Sequence, residues 1–108
     1  MTQLAPETRM RLCLEDILRA RVPLLDGLDA LLRLAQGVAG LAEDRDVRRL
    51  AEILAQAEHL PVGAARAHWS AAVLARHDAE LMEIERSHHD AAHYCCRRLN
   101  ETLASLGG

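Results

Sequence analysis

An all-α fold is expected for this chain: an antiparallel helical hairpin or bundle with a long kinked N-terminal helix, a short middle helix and a long C-terminal helix. Two observations carry that reading. Half of the 108 residues are apolar, yet there is one Trp, one Tyr and no Phe, so a core must be built from Leu, Ala, Val and Ile. The apolar positions also recur at spacings of three and four, the period of a helix with one buried face. The length suits a single helical domain over residues 1–108, with helices at about 7–36, 44–58 and 64–106.

The first helix is read from Met10, Leu14, Ile17, Leu24, Leu28, Leu31, Ala35 and Val38, interrupted only by Arg21 and widened by Leu18, Leu25 and Leu32. Pro23 lies inside this stretch, where it removes a backbone hydrogen bond and crowds the preceding turn, so a kink near residues 19–22 is expected. The apolar seam keeps its phase across the proline, which favours one bent helix over two. Gly37 and Gly40 in "GVAGLAED" then stop it. Asp44 or Asp46 can cap the second helix, whose apolar face is Val47, Leu50, Ile53, Leu54 and Ala57. Pro61 and Gly63 in "HLPVG" end it.

Between Ala64 and Leu106 there is neither Gly nor Pro. A single helix of some 40 residues, about 60 Å long, is therefore permitted. Ser70, Val73, Leu74, His77, Leu81, Ile84, His88, Ala91, Ala92, Cys95, Leu99, Thr102, Leu103 and Leu106 fall along one line of it. Such a helix overshoots the other two, and its bare stripe needs a cover. Either a second chain provides it, or the helix breaks near "RHDAE" and folds back. The unbroken stripe favours a homodimer, with Leu74, Leu81, Ile84, His88, Cys95 and Leu99 as the interface.

Several function classes are disfavoured. The formal net charge is −3, all thirteen basic residues are Arg, and acids are interspersed among them, so no basic stripe for nucleic acid exists. No apolar run approaches the roughly 20 residues that cross a bilayer, and no signal-like segment is evident. Three cysteines, two of them adjacent, suit free thiols in a reducing compartment, so a cytoplasmic location is expected. The Arg-only, Ala- and Leu-rich composition suggests a bacterial source. No phosphate loop or nucleophile turn is present, and catalysis has no support.

The densest cluster of reactive side chains is "ERSHHDAAHYCC", residues 85–96. A helical wheel divides it between two faces: His88 and Cys95 join the apolar stripe, while Glu85, His89, His93 and Cys96 form a separate polar line. Imidazole and thiolate at spacings of three and four suit Zn²⁺ or a similar transition metal, with a fourth ligand from elsewhere. Glu85 and His88 also have the Glu-x-x-His spacing of di-iron bundles, but the chain has no second copy of it.

Arg86 and His93, with six residues between them, resemble the Arg-x(4–6)-His pattern of HEPN nucleases, which are helical bundles. That resemblance implies RNA cleavage with His93 as acid or base. Taken together, the residues favour a helical interaction protein without a cofactor, an adaptor or secretion-chaperone-like molecule acting by helix–groove binding and self-association. A metal-binding bundle using Glu85, His89, His93 and Cys96 is the alternative.

Overall fold

A computed structural model describes residues 4–60 and 63–106. Among them are four α-helices, α1 (Pro6–Leu18), α2 (Leu24–Ala35), α3 (Arg45–Ala55) and α4 (Ala71–Leu106), a short 3-10 helix at Gly63–His68, and no strand. The all-helical class stands. Pro61, read as a helix stop, lies outside the described residues.

The long kinked first helix does not form. After Leu18 the chain reverses through a Schellman motif: the Ala20 amide donates to the Ile17 carbonyl and the Arg21 amide to the Asp16 carbonyl, with Ala20 left-handed at φ 57°. Glycine usually occupies that position because a Cβ is disfavoured there, and its absence hid the turn from the sequence. Pro23 then sits at the N-cap of α2 with ψ 142°, ahead of the first helical residue, where its missing N–H costs nothing. A proline read as a kink is in fact a start.

The seam kept its phase because both halves face the same core. Met10, Leu14 and Ile17 from α1 and Leu24, Leu25, Leu28, Leu31 and Ala35 from α2 are buried in one cluster. The hairpin is close at Gly27, where a Cβ would approach Ile17 Cγ1 to 2.6 Å. At the other end, a Cβ on Gly37 would lie 3.9 Å from Pro6 Cβ, so the end of α2 meets the start of α1.

Asp44 caps α3 as expected, its Oδ1 accepting from the amides of Asp46 at 2.7 Å and Val47 at 3.4 Å. Asp44→Ala should lower stability by about 1 kcal/mol, read from urea melts. An unchanged midpoint would show that the cap contributes nothing. Asp46 is not the cap. It is buried and accepts from Arg98 Nε at 3.2 Å, tying the start of α3 to the last third of α4.

The C-terminal helix begins later than expected. The 3-10 helix ends at His68, and Ser70 Oγ accepts from the Val73 amide at the entrance of α4. From Ala71 it runs unbroken through Arg76–Glu80 for 36 residues, about 54 Å. Its direction opposes α3, since Asp46 meets Arg98 while His59 meets Glu80. α1 packs on α2 and α4, and α3 does the same from the other side, while α2 and α4 touch only sparingly.

The start of α4 does pass beyond its neighbours, and none of residues 71–80 is buried. The segment before it supplies partial cover. Arg66 pairs with Asp78 at 3.2 Å, His59 lies 2.9 Å from Glu80, and the Trp69 ring stands edge-on to His77.

Candidate functional site

Two concavities flank the turn at residues 19–23. The first, of about 530 Å³, lies between that turn and the middle of α4, lined by Ile17, Val22, Pro23 and Leu24 on one side and Met82, Glu85, Arg86, His89, Asp90 and His93 on the other. It exists because α1 stops at Leu18 and the connection to α2 spans the space above the helix. Glu85 holds the two walls together. Its Oε1 accepts from the Leu25 amide at 3.4 Å, capping a helix whose N-cap is proline and has no side-chain acceptor.

Within this cleft His89 and His93, one turn apart, have ring centroids 4.0 Å apart and planes tilted by 31°. Burial lowers the His93 pKa, as do the nearby His89 and Arg97 charges, with Asp90 acting in the opposite direction. Arg86 is turned aside to Glu83 at 3.3 Å. The cleft thus holds the Arg86 and His93 of the HEPN-like spacing, with the guanidinium engaged by a carboxylate.

The four residues of the metal line part company. Glu85, His89 and His93 line the cleft, whereas Cys96 is fully buried. Its thiol is pushed up to about 12, chiefly by burial and then by the neighbouring Cys95 and Cys13. Cys95 is buried too, raised by burial and by Asp46. The wheel misplaced Cys96 because α4 is flanked on two sides here, by α3 beside Cys95 and by α1 beside Cys96. The buried arc is wider than a single seam. Among the described residues, no group of three or more His, Cys, Asp or Glu side chains converges on a metal position.

The expected interface residues are also divided. Leu81, Cys95 and Leu99 belong to the chain's own core, while Leu74, Ile84 and His88 are half-buried.

The second concavity, about 480 Å³, is an apolar groove on the outer face of the α1–α2 hairpin. Leu12, Cys13, Val22, Pro23, Gly27, Ala30 and Leu34 line it, with Arg9, Asp16 and Asp26 at its rim. Leu12 is 49% exposed. Cys13 Sγ donates to the Gly27 carbonyl at 3.6 Å, and burial followed by the Asp16 charge raises its thiol to about 11. The sequence reading missed this groove because a single continuous helix leaves no crevice between α1 and α2. The available signal was Leu12, a leucine standing off the core stripe.

No protein-family model, curated protein or solved structure matches the chain. Among the described residues, no helix is long and apolar enough to cross a membrane.

Proposed function

We propose that this protein is a helix-mediated interaction protein that self-associates, two copies pairing through the outer face of the α1–α2 hairpin. The observation that carries the reading is the groove-side stripe of α1: Arg9, Leu12, Cys13 and Asp16, a cation, two apolar groups and an anion at helical spacings. Two copies of that stripe laid antiparallel put Leu12 against Cys13 and Arg9 against Asp16 at both ends. A two-fold interface requires this kind of self-complementarity. Arg9 forms no ion pair within the chain among the described residues, whereas Asp16 pairs with Arg21 at 3.2 Å across exposed surface, a contact weak enough to be exchanged.

Helix–groove docking of this kind belongs to adaptors and chaperones of helical architecture. It needs no cofactor. Three cysteines without disulfides fit a cytoplasmic setting.

Sedimentation equilibrium at concentrations well above micromolar should give twice the chain mass for the wild type and the single-chain mass for Leu12→Asp. Arg9→Asp should weaken the dimer, and adding Asp16→Arg should restore it. Circular dichroism should show all variants fully helical, since the changed side chains lie outside the core. A monomeric wild type, or a dimer indifferent to Leu12→Asp, would sink the proposal.

A further inference from the structure

We infer that His89 and His93 form a chelating site for a divalent transition-metal ion of borderline softness, with Zn²⁺ and Cu²⁺ as its natural tests. This goes beyond the self-association reading and does not depend on it. Two histidines one turn apart on a formed helix direct their imidazoles to the same side, which is the arrangement that helix-borne zinc sites use for two of their ligands. Imidazole is a preferred ligand for both ions.

Three observations place the site here. The two rings already lie on the same side of the helix, stacked with 4.0 Å between centroids, so chelation requires the rings to turn and no movement of the backbone. Both line a concave cleft, His89 exposed and His93 half-buried, with room beside them for water or a small anion to fill the remaining coordination positions. The helix that carries them is anchored on each side of the pair, by Glu85 to the Leu25 amide and by Arg98 to Asp46, so the spacing is held by tertiary structure.

The site differs from the four-residue line read from the sequence. Cys96 is locked into the core, and Glu85 is occupied as a helix cap. Two protein ligands remain, leaving an open site. His88 lies between the cleft and the packed side of α4 and is no part of the site, as it does not line the cleft. His77 is engaged with Trp69.

The test uses the full chain after dialysis against a chelator, titrated calorimetrically with ZnCl₂ and separately with CuCl₂. One ion per chain is expected. His89→Ala and His93→Ala should each weaken binding at least about tenfold, because even outer-shell partners of metal ligands are worth about 10–100-fold. His88→Ala and His77→Ala should leave it unchanged. Bound ion should also raise the melting temperature of the wild type and not of His89→Ala, whose exposed position leaves folding intact. No saturable binding by the wild type would overturn the inference, and so would affinity that survives both substitutions or falls equally with His88→Ala. Mass measurements with and without the ion keep this result separate from dimerisation.

Discussion

Leu99→Ala should lower the unfolding free energy by about 2–5 kcal/mol, while Leu74→Ala should lower it by about 1 kcal/mol or less. Both leucines lie on the same stripe of α4, and periodicity gives no reason to treat them differently. Their surroundings do. Leu99 is fully buried where α1 and α3 flank the helix, so truncation leaves a cavity that the packed neighbours cannot close. Leu74 is half-buried at the end that passes beyond those helices, and water or the adjoining segment can fill the space. Urea melts of the two variants measure the difference. Equal losses would show that the start of α4 is packed as tightly as its end.

The chain should also lose stability as pH rises above 9, with Cys96 as a principal cause. Its thiol is raised from 9.0 to about 12, first by burial. A thiol ionises to a charged form, so the unfolded chain begins to release this proton near pH 9 while the folded chain retains it. The contribution is fully present below pH 9 and is lost as pH rises towards 12, a change on the order of 4 kcal/mol. Stability measured at pH 8 and at pH 10.5 should fall more steeply in the wild type than in Cys96→Ala, whose offset from cavity formation does not vary with pH. Parallel profiles would rule out the buried thiol as the source. The same burial predicts slow alkylation of Cys96 in the native protein at pH 8, and rapid alkylation in urea, because the thiolate is the reactive form.

Much of the helical content could be read from spacing alone, because the core positions from Met10 to Ala35 and from Val47 to Ala57 repeat with the helical period. The connection between α1 and α2 could not. Periodicity reports which residues face a core, and two antiparallel helices facing one core give the same report as one long helix. The residue that decides between them, Ala20, has no sequence signature for a left-handed turn. Of the cleft, His89 and His93 were visible as a pair from their spacing. Cys96 was misassigned because a wheel assumes one covering neighbour where there are two. The outer groove, with Leu12 and Cys13, follows from the hairpin and was lost with it.

Glu85 caps α2 from 60 residues further along the chain, and α4 contributes Ala92, Cys95, Cys96, Leu99 and Leu103 to the core. During synthesis, then, the first two helices emerge able to pack on each other but with the side that α4 covers still bare and the Leu25 amide without its carboxylate partner. Neither is remedied until Glu85 and the part of α4 that follows it have emerged. A chain truncated before Glu85 is left with an exposed leucine face. Emergence of α4, more than any local helix propensity, therefore completes the core and ends the exposure of its leucines to aggregation and proteolysis.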